Sequence, residues 1–184
     1  MKKYFTLLFI TPLLFISTNS YSQTDDAIYS MGLDLALPIG DLSNATNFGA
    51  GVTVKALWEV GGNDSYVGAN VGIMNFFPKK DYNTSINKIP FYVDFRQYFG
   101  SFFVEPQMGL SIALYQQSEF DAVQPKFKNL IGFGWAVGAG YTLDENFDFS
   151  LRFEANHNKN GYYHDGMIGF LALRVAYNVP FDKF

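Results

Sequence analysis

The stretch Asn129–Asn156, NLIGFGWAVGAGYTLDENFDFSLRFEAN, decides the fold. Two runs of alternating character flank three turn-forming residues, Asp144-Glu145-Asn146. In the first run Ile131, Phe133, Trp135, Val137, Ala139, Tyr141 and Leu143 take every second position. Gly132, Gly134, Ala136, Gly138, Gly140 and Thr142 fall between them. In the second run Phe147, Phe149, Leu151, Phe153 and Ala155 alternate with Asp148, Ser150, Arg152, Glu154 and Asn156. Successive side chains of a strand point to opposite faces, so a period of two means strands with one apolar and one polar face. The short polar linker makes the two runs a hairpin.

The same pattern repeats along the chain. Strands are expected at about Ala27–Leu37, Phe48–Val60, Ser65–Phe77, Lys88–Phe99, Phe102–Gln116, Asn129–Leu143, Phe147–Asn156 and Met167–Phe181. Each is long enough to cross a bilayer as a tilted strand of ~9–11 residues. The connections alternate in length. PIGDLSNATN (Pro38–Asn47), PKKDYNTSIN (Pro78–Asn87), QSEFDAVQPKFK (Gln117–Lys128) and HNKNGYYHDG (His157–Gly166) are long. Gly61–Asp64, Gly100-Ser101 and Asp144–Asn146 are short. Short periplasmic turns and long extracellular loops are the habit of a transmembrane barrel, and this order puts both termini in the periplasm. The expected fold is all-β, an eight-stranded antiparallel up-and-down transmembrane β-barrel over residues 23–184.

The first 22 residues read as a cleaved signal peptide. Lys2 and Lys3 form the positive region, Tyr4–Ile16 the apolar run, and Ser20-Tyr21-Ser22 the small-residue cleavage pattern. The apolar run is too short for a ~20-residue helical span, and Pro12 interrupts it.

Composition agrees with a two-faced wall. Of the 184 residues 16% are charged and 18% aromatic, against about 25% charged in an average soluble domain. A soluble barrel would need many Lys and Glu on its outer face. Here the polar face is rich in Gly, Ser, Thr, Asn and Ala, which suit a narrow lumen. The apolar face therefore meets lipid. Trp58, Phe99, Phe102, Tyr141, Phe147, Phe149, Tyr177 and Phe181 form an aromatic girdle at its periplasmic edge. The lumen should hold Lys55, Arg96, Arg152 and Arg174 with Asp34, Glu59, Asp94, Glu105, Asp148 and Glu154. Buried charges of both signs must pair. Such a network either fills the lumen as a plug, the reading preferred here, or moves as a gate or ion path. Pro90 and Pro106 fall inside strands, where each removes a ladder donor, and Pro106 is expected at a bulge.

These features resemble the small eight-stranded outer-membrane barrels typified by the OmpA membrane domain and OmpX. The likeness covers the whole chain after the signal and includes a C-terminal signature: Leu173, Val175, Tyr177 and Val179 at alternate positions before Phe181, with Asp182-Lys183-Phe184 overhanging. The resemblance implies that this strand is read by the barrel-assembly machinery during biogenesis. It also implies an outer-membrane location in a Gram-negative bacterium, with lipid and lipopolysaccharide as surroundings. The last strand lies at the end of the chain, so the peptidoglycan-binding domain of larger relatives is not expected.

Little points to chemistry. There is no Cys, so thiol catalysis, disulfides and Cys-ligated zinc are out. The net charge of −4 argues against a nucleic-acid partner. The glycines of GFGWAVGAG alternate on one strand and precede no helix, so they are no nucleotide loop. Lipid A deacylases resemble a His and Ser two apart, which neither His157 nor His164 has, and Glu154 has the opposite parity to His157. No helix precedes the first strand, as the palmitoyl-transferring type would need. No enzyme activity, cofactor or metal is expected. The expected role is structural, or surface contact through the outer loops with an extracellular partner. The alternatives are a narrow gated channel or apolar-ligand conduit, and then a lipid A-modifying enzyme.

Overall fold

The computed structural model describes residues 27–80, 84–117, 129–157 and 167–179. The expected signal peptide, Phe181 and His164 lie outside the described residues. Eight strands, β1 (Ala27–Ile39), β2 (Thr46–Glu59), β3 (Ser65–Pro78), β4 (Thr84–Phe99), β5 (Phe102–Gln117), β6 (Asn129–Leu143), β7 (Phe147–His157) and β8 (Met167–Val179), follow one another in order. Each pairs antiparallel with the next, and β1 pairs with β8 to close the barrel. Closure gives every strand two neighbours, so no edge is left to be satisfied by water. β4 starts four residues before the expected Lys88. No helix among the described residues is long and apolar enough to cross a membrane.

Alternation sorts the side chains. Outward residues are large and apolar. Met31, Leu33, Leu35 and Leu37 on β1 are 60–66% exposed, as are Phe99, Phe102 and Ile131 on β4, β5 and β6. An apolar belt around a whole molecule is a surface for lipid and not for water. Even β7, the shortest strand at 11 residues, spans roughly 29 Å when tilted by about 40°, which exceeds an apolar band of about 25 Å. At the short-turn end the outward aromatics form a ring: Trp58, Phe99, Phe102, Tyr141, Phe147, Phe149 and Tyr177 are all exposed. Phe102 meets Tyr141 edge-on at 5.1 Å, and Phe147 lies 5.3 Å from Tyr177. At the long-loop end Phe48 stacks on Phe77 at 4.7 Å.

The prolines are accommodated differently from expectation. Pro106 makes no bulge. Asp94 pairs with Gln107 and Gln97 with Val104, so the β4–β5 register runs through unchanged, with the ladder interrupted at Phe95 and Arg96. On its other side Pro106 pairs normally with Val137. Pro90 likewise interrupts the β3–β4 ladder between the Val71–Phe91 and Met74–Lys88 pairs, again without a shift. A proline ring needs only its missing donor to be forgone, and a stiff closed ladder holds register across that gap. The one register shift involving β2 and β3 lies near the loop end, between Thr46 and Phe48. The first long loop also holds a short helix, α1 (Asp41–Ala45), that the period-two reading did not anticipate.

The β6–β7 turn is strained. Asn146 N–H donates to the Leu143 carbonyl at 3.2 Å, and both central residues, Asp144 (φ 49°) and Glu145 (φ 62°), are left-handed. This is the mirror-image turn that suits the twist of a hairpin, but it prefers Gly at its second central position. Glu145→Gly should therefore stabilise the barrel by about 0.5–1 kcal/mol. The check is a higher urea midpoint for unfolding from lipid vesicles; an unchanged or lower midpoint contradicts the strain.

Candidate functional site

Among the described residues the chemistry-bearing side chains converge in the lumen, and every strand contributes to it. Inward positions on β4 and β7 read Lys88, Tyr92, Asp94, Arg96 and Asp148, Arg152, Glu154, Asn156, all buried. β1, β2, β5 and β8 add Asp34, Lys55, Glu105 and Arg174. Facing them, β6 presents glycine. A Cβ on Gly134 would stand 2.3 Å from the Tyr92 hydroxyl, and one on Gly140 would stand 2.4 Å from the Phe103 ring. These glycines make room for large inward side chains of the neighbouring β5 and of β4 beyond it.

The polar groups form one connected network. Nearer the short turns, Arg96 donates from Nε to Glu105 (2.6 Å) and from Nη1 to Asp148 (2.7 Å) and the Tyr98 hydroxyl (2.8 Å). Lys55 pairs with the same Glu105 and lies 3.7 Å from Asp94, which accepts a hydrogen bond from Asn70 Nδ2. Asp148 also accepts from Thr142 (2.8 Å) and Asn178 (2.9 Å). Nearer the loops, Arg174 Nε donates to Asp34 at 2.8 Å, and Thr53 donates to the other Asp34 oxygen at 2.7 Å. Arg152 reaches Asp34 (3.5 Å) and Glu154 (3.3 Å). Glu154 pairs with Lys88 and accepts from the Tyr92 hydroxyl at 2.6 Å, while that hydroxyl lies 2.9 Å from Asn156 Oδ1. Gln107 joins the halves: it donates to Glu105 and accepts from Arg152 Nη1 at 3.2 Å.

The structure brings together nine of the ten charged residues expected in the lumen: Asp34, Lys55, Asp94, Arg96, Glu105, Asp148, Arg152, Glu154 and Arg174. Glu59 is the correction. It has inward parity but ends β2, where it is partly exposed at the lumen mouth, and it makes no ion pair among the described residues. Lys88 takes its place. It shares parity with Asp94 and Arg96, but the expected strand began on it, which hid its depth. With Lys88 in and Glu59 out, the buried charges become Lys55, Lys88, Arg96, Arg152 and Arg174 against Asp34, Asp94, Glu105, Asp148 and Glu154, five of each. A neutral sum is what a low-dielectric tube inside a membrane demands. Tyr92, fully buried over Glu154, was missed for a different reason: nothing in a lone inward Tyr shows which carboxylate it meets.

Among the described residues the arrangement is a filling of paired, buried groups. Glu154 is 0% exposed and held by a lysine, an arginine and a phenol. His157 sits on the outward side of β7, paired across the strands with Met167 and Phe133. Among the described residues no three His, Asp or Glu side chains gather as a metal site. Neutralising Glu154 leaves the buried Lys88 charge without its carboxylate, and removing Lys88 leaves Glu154 with only Arg152 and Tyr92; uncompensated buried charge costs about 3–5 kcal/mol. Lys88→Met and Glu154→Gln should each destabilise on that scale, and the double variant should lose clearly less than the two losses added. Urea unfolding followed by Trp58 and Trp135 fluorescence measures this; strict additivity would show that the pair is not coupled.

No protein-family model matches the sequence, and neither does any curated protein. Solved structures do match. The attachment invasion locus protein Ail of Yersinia pestis superposes with a TM-score of 0.60 at 14% identity, over 83% of this chain and 97% of that one. The N-terminal β-barrel domain of Pseudomonas aeruginosa OprF gives 0.55 at 12% identity, over 82% and 97%. Neisserial surface protein A gives 0.53 at 15% identity, over 84% and 97%. With its closed eight-strand order, apolar wall and filled polar lumen, the chain has the fold of the small eight-stranded outer-membrane β-barrels.

Proposed function

We propose that this protein is an integral outer-membrane barrel whose interior is structural and whose activity lies in surface contact through its outer loops. The observation that carries this reading is the charge-neutral, hydrogen-bonded filling of the lumen inside a lipid-facing wall. A filled tube transports nothing while its network stays in place, so what remains to act is what the barrel holds outside. The fold can serve such contact: attachment is in the name of the Yersinia pestis barrel it resembles in shape. Both termini and the three short turns face the periplasm in this reading. Outer-membrane lipid and lipopolysaccharide surround the wall, and an extracellular partner meets the loops. The C-terminal strand with Leu173, Val175, Tyr177 and Val179 outward is presented to the assembly machinery during insertion.

The alternatives have less support. A conduit for apolar molecules opening at Pro106 would be backed by Arg96 and Glu105, which are buried and charged. A lipid A-modifying enzyme would need His157 and Glu154 together, yet they stand on opposite faces of β7.

The refolded protein should be electrically silent in planar bilayers. Steady currents that change on Arg96→Ala or Glu105→Ala would give the lead to a gated channel. In intact cells a cysteine at the exposed Lys80, beside a long loop, should react with an impermeant thiol reagent. One at the exposed Ser101, in a short turn, should react only after the outer membrane is permeabilised. The reverse pattern would invert the orientation.

A further inference from the structure

The first long loop does not simply project from the barrel. After Gly40 (φ 62°) the chain turns inward into α1, whose Leu42 and Ala45 are each 4% exposed. The helix is fastened at both ends: Ser43 Oγ donates to the Gly40 carbonyl at 2.6 Å, and Thr46 Oγ1 to the Leu42 carbonyl at 2.8 Å. A third bond, from Lys79 N–H to the Ala45 carbonyl at 2.9 Å, ties it to the end of β3. Leu42 packs among Ala36, Met74, Phe76, Ile86, Phe170 and Ala172, inward residues near the long-loop ends of β1, β3, β4 and β8. Beneath it Phe76 and Phe170 meet edge-to-face at 5.2 Å, and the Lys88 ammonium lies 4.6 Å from the Phe170 ring. The order from the loops inward is thus helix, apolar layer, then ion pairs.

We infer that α1 is a built-in stopper: Leu42 completes an apolar layer that closes the long-loop mouth and keeps the Lys88–Glu154 end of the network dry. A narrow apolar constriction resists wetting, and water would compete for every ion pair below it. The strands alone leave this layer one side chain short, and the loop supplies it. This goes beyond the surface-contact reading and does not rest on it. Where both hold, contact with a partner falls to the other three long loops.

The chain has no Cys, so a single introduced thiol reports without interference. Ala172→Cys places one in the apolar layer, and a charged, water-soluble methanethiosulfonate is added to protein folded in lipid vesicles. With Leu42 in place the thiol should be protected. Leu42→Ser should speed its labelling about tenfold or more, the factor expected when the closed state loses one buried leucine side chain. A cysteine at Ser101, at the opposite end, should react at the same rate in both backgrounds. Thr46→Val, which removes only the hydroxyl bond to the Leu42 carbonyl, should give a smaller rise of a few-fold and tests the idea should Leu42→Ser fail to fold. Labelling of Ala172→Cys at the rate of the Ser101 control with Leu42 present would overturn the stopper. So would a protected thiol that neither variant unmasks.

Discussion

The constraint on which everything else depends is the pairing of β1 with β8. In lipid an unpaired backbone donor or acceptor has no water to turn to, so a spanning sheet must close on itself. Eight strands close into a tube just wide enough for side chains. Those side chains then have to fill it, and the polar ones among them have to find partners inside. The glycines of β6 opposite Tyr92 and Phe103, the shared Glu105 between Lys55 and Arg96, and the Gln107 bridge all follow from this narrowness. None of them would be needed in a wider, water-filled barrel.

Closure also distributes the charge. Among the described residues the buried charges of the lumen sum to zero. At the short-turn end Glu59, Asp64, Asp144 and Glu145 make no ion pair among the described residues. Glu59 shows how sharp the boundary is. Four residues along β2 from Lys55 and on the same face, it is already partly exposed.

Strand number, order, parity and the two faces were legible because alternation is a local property. Every inward residue named on β6, β7 and β8 among the described residues lies inward. Depth and partner were not legible. Lys55 meets Glu105 across 50 residues and Lys88 meets Glu154 across 66, and such matches depend on strand stagger, which periodicity does not carry. Lys88 was lost through a boundary error of four residues at the start of β4. The bulge expected at Pro106 failed for a physical reason: a missing N–H weakens one ladder locally, but register is a property of the whole strand pair. α1 was invisible because PIGDLSNATN has turn composition and no helical period, and its single buried Leu takes meaning only beside Phe76 and Phe170.

Phe170 is where the two chemistries of the interior join. One side of its ring belongs to the apolar layer through Phe76, and it also lies against the Lys88 ammonium. A cation beside an aromatic face loses less on leaving water than one beside aliphatic groups. Lys88 can therefore sit at the edge of the dry layer while its charge is met by Glu154. On β8 the same alternation that aims Phe170 inward aims Arg174 inward two turns of the pleat later, toward Asp34. One strand thus carries the change from apolar closure to ionic filling, and the order of its inward residues, Phe170, Ala172, Arg174, Ala176 and Asn178, is the order of the layers from the loops to the turns.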